Sequence, residues 1–157
     1  MKLRKAVLND ASALAGLTTE LGYVADSAAV TERLGRLLDR GNDVVLVAEE
    51  EGVIVGWIQA HTSVALESGF RMEIVGLIVS DRFRRRGVGK RLVDAVESWG
   101  RERGARVFSV RSNLQRVASH AFYPALGYEK IKTQAVYRNR MKPADERGGG
   151  DSSGNPP

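Results

Sequence analysis

Apolar and polar positions follow two alternating periods along the chain, and the first stretch shows both of them. Residues 3–7 read as a first strand. The next apolar residues, Leu14, Leu17 and Leu21, recur at the spacing that places them on one face of a helix. Asp10 precedes them at the position expected of an N-cap. The pattern therefore predicts a strand followed by a helix.

A second helix and three strands are predicted next. Residues 28–39 carry an apolar stripe and are followed by Gly41, which is typical of a helix end. Residues 43–48 and 53–64 are strand-like on either side of a polar, glycine-containing turn, which indicates a hairpin. Residues 72–79 are largely apolar and predict a further strand. Two helices in succession thus precede the sheet.

The second half of the chain returns to the helical period. Residues 88–101 place apolar side chains at three- and four-residue spacing, which predicts an amphipathic helix. Residues 107–110 read as a short buried strand, and residues 115–125 as a last helix. Residues 128–133 and 135–140 are predicted as a closing pair of strands. The order is one strand, two helices, three strands, a helix, a strand, a helix and two strands.

This order predicts a single α/β domain with a mixed, mainly antiparallel sheet of about seven strands and about four helices. The chain has 157 residues and 43% hydrophobic content, enough to bury one core of ordinary size. Residues 143–157 hold three of the four prolines, four glycines and no large apolar residue. We therefore expect a folded domain over residues 1–142 and a disordered tail over residues 143–157.

Composition excludes several classes of protein. Cysteine is absent, which rules out disulfides and a thiol nucleophile. The chain has only two histidines, His61 and His120, which disfavours a metal centre. Polar residues interrupt the start of the chain before a signal-peptide core could form, and no apolar run is long enough to span a membrane. We expect a soluble cytoplasmic protein that binds neither metal nor membrane.

The net charge of +5 is concentrated in one turn. Six basic side chains and no acidic one lie between Arg82 and Arg91, and Gly87 and Gly89 stand where the helix begins. Glycine lets ligand oxygens approach the backbone, and the free N–H groups of a first helical turn attract anions. A solvated basic face is the alternative, but cations at a helix start oppose the helix dipole. The turn therefore predicts a site for a phosphate-bearing ligand.

The common nucleotide fingerprints do not fit this turn. The segment from Gly87 to Leu92 lacks the third glycine of a dinucleotide-binding fold. No serine or threonine follows Lys90, as a phosphate-binding loop requires. No run of exposed aromatic residues interleaves with the arginines, which disfavours a surface that stacks nucleic-acid bases. A different phosphate ligand is indicated.

The segment Arg84-x-x-Gly87-x-Gly89, placed after a strand, resembles the acyl-CoA signature of the GNAT superfamily of N-acyltransferases. A second set of residues is similar to a later motif of the same family. It consists of Asn113 after the next strand, His120-Ala121-Phe122-Tyr123, and Gly127-Tyr128. The two motifs occur in the family's order, and the resemblance covers about residues 3–141. It implies the GNAT fold and acetyl-CoA as a cosubstrate.

The resemblance also implies a set of contacts to CoA. Backbone amides and arginine side chains of the turn would hold the pyrophosphate. The residues concerned are Arg84, Arg85, Arg86, Gly87, Val88, Gly89 and Lys90. Main-chain groups of Leu77 and Val79 would pair with the pantetheine arm, and an amide at or near Val79 would polarise the thioester carbonyl. Asn113 would bind the same arm, although an asparagine after a strand is also a common helix cap.

Two residues are candidates for proton transfer. Tyr123 matches the family's general acid, because a phenol can protonate the departing thiolate, whereas packing in the core is the alternative. Pro124 follows it directly and departs from the usual family pattern. Glu73 is the lone acid on the strand leading to the turn, and some family members carry a basic glutamate at a similar place. Its alternatives are a solvated strand end and a cross-strand partner for Arg71 or His61.

The leading hypothesis is an N-acetyltransferase that moves acetyl from acetyl-CoA directly to a primary amine in a ternary complex. Family acceptors include small-molecule amines and protein amines, and a homodimer is compatible with the resemblance. The alternatives are a non-catalytic acyl-CoA sensor and, with less support, a basic nucleic-acid-binding module. Which amine is the acceptor cannot be read from the sequence.

Overall fold

The computed structural model describes residues 1–20, 22–112 and 117–140. Four sequence predictions fall outside this part of the chain. They are Leu21 on the apolar face of the first helix, the CoA contact at Asn113, the first residues of the last helix and the tail over residues 143–157. The remaining elements and site residues can be compared with the structure.

The described residues form a five-stranded sheet with two helices on one face and a long helix on the other. The strands are β1 (Lys2–Lys5), β2 (Asp43–Glu50), β3 (Val53–Ala65), β4 (Gly69–Val79) and β5 (Phe108–Val110). The helices are α1 (Ala11–Glu20), α2 (Ser27–Leu38), α3 (Val88–Glu102) and α4 (Val117–Ala125). Short 3-10 turns occupy Leu8–Asp10 and Asp81–Phe83. The predicted α/β class, the four helices and the order of the elements up to α4 are confirmed.

The predicted number of strands was wrong, because residues 128–140 form no strand in the structure. Ile131, Val136 and Tyr137 are 83%, 90% and 92% exposed. Polar and basic residues surround these few apolar side chains, so neither face of the segment has enough apolar surface to be held against a core. Alternation alone suggested strands there, but the sheet of the described residues ends at β5.

Sheet order follows chain order, β1-β2-β3-β4-β5, and the first four strands are antiparallel. Glu51 and Gly52 join β2 to β3 with φ of 51° and 79°, as the two central residues of a type I′ hairpin turn require. The predicted hairpin is therefore confirmed. Only the β4–β5 pair is parallel, and α3 provides its crossover.

The main core lies between the sheet and α3. The stripe predicted from the sequence, Val88, Leu92, Val96 and Trp99, is buried there. It packs with Ile58, Met72 and Ile74 of the sheet. A second core on the opposite face joins Leu14 of α1 and Leu34 of α2 to the sheet. The two cores hold β3 and β4 between layers, which positions the strand that leads to the glycine turn.

A charged network ties β1 to the start of α1. The Arg4 guanidinium donates to both carboxylate oxygens of Asp10, at 2.7 and 2.9 Å, and to Glu49 at 2.8 Å. The Asp10 side chain is only 8% exposed, and it also accepts the Val7 N–H at 2.8 Å. Asp10 thus stands at the predicted helix start, but its carboxylate reaches back toward the preceding strand. The hydrogen bonds from Arg4 lower the pKa of Asp10.

Candidate active site

The candidate site begins where β4 and β5 part. Their parallel pairing runs from Met72 with Phe108 to Ile74 with Val110. Strand β5 ends there, while β4 continues to Val79. The last part of β4 therefore has one edge that pairs with β3 and a second edge that β5 does not cover. An open strand edge offers main-chain donors and acceptors to a ligand.

A β-bulge lies at the point of separation. Ile74 pairs with Ala60, and Gly76 pairs with the adjacent Gln59, so Val75 is the additional residue on β4. A bulge bends its strand and increases the local twist. The bulge therefore directs residues 75–79 away from the line of β5, which ends at the same level. Sequence alternation alone did not reveal it.

Beyond the bulge, main-chain groups of Leu77 and Val79 face the open edge. The Ser80 N–H donates to the Val55 carbonyl at 2.9 Å, which fixes the alternation of bonds along the ladder. By that alternation, residues 76, 78 and 80 bond to β3, and Leu77 and Val79 point to the other side. The Val79 carbonyl accepts from Arg84 Nε at 3.2 Å on that side. The two residues predicted to contact pantetheine are therefore oriented toward the gap.

A cavity of about 350 Å³ occupies this region. Its described lining comes from the bulged part of β4, the end of β5 and the helices on either side. The residues are Thr18, Tyr23, Trp57, Ile74, Val75, Gly76, Leu77, Ile78, Val110, Arg111, Ser112 and Tyr123. It brings the predicted acid, Tyr123, to the same space as Leu77. A space of this size suits a small ligand or part of a larger one.

The glycine turn lies at the end of the same strand, and its backbone amides form a candidate anion site. Gly87 is the N-cap of α3 with φ 79° and ψ 1°, and Arg85 is also left-handed at φ 59°. The first bond of the helix runs from the Arg91 N–H to the Gly87 carbonyl at 3.0 Å. The amides of Val88, Gly89 and Lys90 therefore have no acceptor within the helix. They point where the helix dipole favours negative charge.

The side chains of this turn are less available than the sequence indicated. Arg84 pairs with Asp81 at 2.6 Å, and Lys90 pairs with Asp94 at 2.6 Å. Both acids lie just outside the acid-free stretch from 82 to 91, at the three- and four-residue spacings that bring side chains together. Arg86 stacks over the Phe83 ring at 5.3 Å. The backbone amides are therefore better organised than the side chains as hydrogen-bond donors to an anion at this turn.

The two glycines of the turn are needed for different reasons. At Gly87 an added Cβ would meet nothing within 4 Å, so the positive φ is what favours glycine. At Gly89 an added Cβ would lie 3.1 Å from Cζ of Phe122. Gly89 thus lets α4 pack closely on the first turn of α3. Because Tyr123 follows Phe122, this contact links the anion site to the candidate acid.

We expect Gly89→Val to destabilise the protein by about 1–3 kcal/mol, because the branched side chain must displace Phe122. Acetyl-CoA turnover should fall as well, since Tyr123 moves with its neighbour. Urea unfolding and steady-state kinetics measure the two effects. The matched control is Gly16→Val, a helical glycine whose added Cβ would meet nothing within 4 Å. Equal losses in the two variants would show that helix propensity, not the Phe122 contact, is responsible.

Helix α4 and the turn after it hold Tyr123 in place. The Tyr128 N–H donates to the Tyr123 carbonyl at 3.1 Å, and the Gly127 N–H donates to the Pro124 carbonyl at 2.9 Å. With Gly127 at φ 88°, these bonds form a Schellman motif. The Tyr123 ring packs edge-on against Phe122 and Tyr128, with ring centres 5.1 and 5.7 Å away. Pro124 lies within the helix, one residue before its end, and does not interrupt it.

Tyr128 anchors this arrangement to α3. Its hydroxyl donates to Glu97 at 2.8 Å, and Glu97 also pairs with Arg101 at 2.6 Å. Burial, together with the hydrogen bond to Glu97, raises the pKa of Tyr128. The phenol therefore stays protonated as a donor. The family-like motif at Gly127-Tyr128 thus has a structural explanation, and Glu97 is a supporting residue that no sequence pattern identified.

Glu73 lies near the cavity but does not line it. It stands opposite His61 on β3 and Ser109 on β5. Its carboxylate is 3.2 Å from Nε of Arg111, and the Glu73 side chain is 13% exposed. Arg111 does line the cavity. The predicted base therefore does not line the cavity, and it pairs with a cavity-lining arginine that was not anticipated.

Two acids near the break between α1 and α2 are already engaged. Glu20 accepts from the Ser80 hydroxyl at 3.1 Å and from the Asp81 N–H at 3.3 Å. Asp26 caps α2 by accepting the Ala29 N–H at 3.0 Å. Tyr23 from this break lines the cavity. The break therefore contributes an aromatic side chain, and its acids stabilise the surrounding turns.

Sequence reasoning missed Trp57, Thr18 and Ser112 as residues of the cavity wall. The Trp57 ring packs directly on Gly76, where an added Cβ would lie 3.0 Å from its benzo edge. A tryptophan in a strand is ordinarily core filler, so composition offered no sign of this position. Gly76 pairs with Gln59 and Trp57 pairs with Ile78, so the contact is a diagonal one between neighbouring strands and is apparent only once the register is known.

Two further properties concern the described residues alone. Over residues 1–20, 22–112 and 117–140, no group of three or more histidine, aspartate or glutamate side chains could hold a metal ion. No helix in that part of the chain is long and apolar enough to cross a membrane.

Comparison with known proteins gives consistent results. The model of the acetyltransferase (GNAT) family matches residues 13–128. An aminoglycoside N(6′)-acetyltransferase type 1 of Stenotrophomonas maltophilia is 29% identical over 147 residues, which span 90% of this chain and 95% of the relative. The match includes the β4–β5 gap, the glycine turn and α4.

Solved structures share the fold. Aminoglycoside N-acetyltransferase AAC(6′)-Iy in complex with CoA superposes with a TM-score of 0.81 at 24% identity, covering 89% of this chain and 95% of the other. A transcriptional regulator from Bacillus halodurans C-125 also has a TM-score of 0.81, at 20% identity and with 88% and 99% coverage. At such identities the likeness is one of fold, and two differently described proteins share it.

Proposed function

Because the chain belongs to the acetyltransferase (GNAT) family and is an acetyl-CoA-dependent N-acetyltransferase, we propose that it transfers the acetyl group directly to a primary amine of a small molecule. The donor and the acceptor would be bound together in a ternary complex. One observation carries the proposal. The cavity at the β4–β5 gap is lined by both Leu77 and Tyr123, and the strand that carries Leu77 leads to the glycine turn.

The donor would lie along the open edge of β4. The amides of Val88, Gly89 and Lys90 would hold the pyrophosphate at the start of α3. Leu77 and Val79 would pair with pantetheine as a neighbouring strand would. The remaining basic residues of the turn, Arg85 and Arg86, would add charge-assisted contacts. Asn113 is proposed as a further contact by its place in the motif.

The reaction needs two proton transfers. The amine nitrogen attacks the thioester carbonyl, a C–N bond forms, and the C–S bond breaks to release the CoA thiolate. The Tyr123 hydroxyl would donate a proton to that sulfur, and the amide at Val79 would stabilise the developing oxyanion. A primary ammonium has a pKa of about 10.4, so the attacking amine must lose a proton. Glu73, or water in its place, would accept it.

The acceptor is proposed to be an aminoglycoside-like polyamine. The support is the similarity to an aminoglycoside N(6′)-acetyltransferase over nearly the full length of both chains. A small-molecule amine also agrees with a cavity of about 350 Å³. A protein lysine could insert only its side chain into such a space, and the substrate panel described next includes one for comparison.

The test is turnover of acetyl-CoA with a panel of amines, measured by release of free thiol. The panel contains kanamycin, spermidine, benzylamine and a lysine peptide. We expect turnover with kanamycin above the others. Separately, acetyl-CoA at one hundred times its Kd should raise the free energy of unfolding by about 2.7 kcal/mol. Binding without turnover of any amine would instead support an acyl-CoA sensor, and absence of binding would reject both functions.

A further inference from the structure

We infer that Arg111 is a built-in counter-ion of Glu73 that a cationic acceptor must displace. Arg111 would thereby determine which amines can use the carboxylate. The inference rests on the proposed function, because it requires an amine acceptor in the cavity. It adds a specificity-determining residue that is neither part of the glycine turn nor of the α4 motif.

Arg111 connects the cavity to Glu73. Arg111 follows the last residue of β5 and lines the cavity, whereas Glu73 does not line it. Arg111 Nε lies 3.2 Å from the Glu73 carboxylate. A cationic ligand in the cavity that pairs with this carboxylate therefore competes with the guanidinium.

The two partners differ sharply in their freedom to move. The Arg111 side chain is 71% exposed, and that of Glu73 is 13% exposed. An exposed arginine that leaves an ion pair regains its hydration, so its departure costs little. Glu73 is held within the sheet between β3 and β5 and cannot follow it. The ion pair can therefore be broken by movement of the Arg111 side chain.

The charge on the acceptor decides whether breaking the Arg111–Glu73 ion pair is favourable. An ammonium beside Glu73 would also lie beside the Arg111 guanidinium if both cations stayed, and like charges at that range repel. A polycation replaces the guanidinium and keeps the carboxylate paired. An uncharged or anionic amine offers no such replacement and leaves a largely buried carboxylate without a cation.

The rest of the described wall strengthens this conclusion. Among the described residues that line the cavity, none carries a carboxylate and Arg111 is the one with a formal charge. The nearby acids Glu20 and Asp26 bond to Ser80, Asp81 and Ala29. Glu73 is therefore the carboxylate that a cationic acceptor in this part of the site can pair with, and it is already paired with Arg111.

The test is Arg111→Gln, with kinetics for kanamycin at low ionic strength. We expect the KM for kanamycin to fall about three- to fivefold, since Arg111 itself is largely exposed and a pair with an exposed partner contributes about a factor of this size. The KM for benzylamine, which has a single charge, should change less. Arg111→Lys should restore the wild-type KM, because it restores the competing cation. A higher KM for kanamycin in Arg111→Gln would overturn the inference, since it would make Arg111 a binding residue.

A double-mutant cycle separates the pair from general charge effects. Kanamycin binding is measured by calorimetry in Glu73→Gln and in Glu73→Gln with Arg111→Gln, so that loss of turnover does not matter. The gain in kanamycin affinity caused by Arg111→Gln should disappear in the Glu73→Gln background. A gain of the same size in both backgrounds would contradict the inference. Arg36→Gln, which removes an equal charge from an exposed ion pair on α2, should leave binding unchanged.

The two levels of proposal fail differently. If wild-type protein turns over no amine, the proposed function fails and the cycle is decided by binding alone. If wild-type protein acetylates kanamycin but Arg111→Gln raises its KM, only the role of Arg111 is wrong.

Discussion

Replacing Tyr123 with phenylalanine is expected to lower kcat by about 100-fold, the smaller end of what a positioned general acid contributes. The departing CoA thiolate would then take its proton from water. Steady-state kinetics with acetyl-CoA and kanamycin measures the effect, provided that chemistry limits the rate. The KM for acetyl-CoA should change little, because the ring itself is retained.

The Tyr123 ring should keep its position in the phenylalanine variant, because neighbouring residues hold it and not the hydroxyl alone. Its ring packs against Phe122 and Tyr128, and its carbonyl is fixed by the turn after α4. Phenylalanine preserves these ring contacts, so the protein should fold normally. A loss of activity would then report the hydroxyl and not the position of the helix.

The control is Tyr137→Phe, because Tyr137 is 92% exposed and lies outside the helices and strands. It should retain wild-type turnover. Full activity of Tyr123→Phe under conditions where chemistry limits the rate would show that another group, or water, protonates the sulfur.

Arg4→Met is expected to lower the free energy of unfolding by about 3 kcal/mol at pH 7. The substitution leaves the Asp10 carboxylate, only 8% exposed, without its bidentate cation. Breaking a buried pair by removing one partner costs more than the pair contributes over an apolar replacement. Urea unfolding measures the loss.

The matched control is Arg36→Met, which breaks the pair with Glu32 on the exposed side of α2, where the side chains are 78% and 65% exposed. Its cost should stay below about 1 kcal/mol. Equal costs for the two variants would show that the Arg4 network behaves as an ordinary surface contact.

The same network predicts a dependence on pH. Hydrogen bonding to Arg4 lowers the pKa of Asp10 in the folded state. A lowered folded-state pKa gives stability that is present above the unfolded value of about 3.9 and is lost as the pH falls through the folded value. Wild-type protein should therefore lose this contribution below about pH 4, and Arg4→Met should show a weaker loss over the same range.

Much of the fold could be predicted because its signals are local. The stripe of α3, the I′ hairpin at Glu51-Gly52 and the glycine start of α3 depend on residues close together in the chain. The closing strands could not be predicted in this way. Alternation over residues 128–140 is also local. A strand forms, however, only where a neighbouring strand pairs with it and its apolar face packs on a core.

The candidate site shows the same difference between features set by local sequence and features set by tertiary structure. Gly87, Gly89 and Tyr123 belong to short motifs whose backbone geometry is set within one turn. The pairing of Arg84 with Asp81, although local, was missed because only the acid-free window was considered. The bulge at Val75 was missed because register is a property of two strands together.

By itself, the sequence determined the order of the elements up to α4, the position of the glycine turn and, through motifs that resemble those of the GNAT family, the family of the protein. The order and the turn follow from periodicity, glycine conformations and spacing, which act over a few residues. Only the tertiary structure decided that the sheet of the described residues stops at five strands, that β4 and β5 part at Ile74, and that the cavity-lining Arg111 pairs with Glu73. The reason is physical. Pairing, exposure and charge neutralisation depend on groups that meet only after distant segments have packed, and no local pattern records which groups those will be.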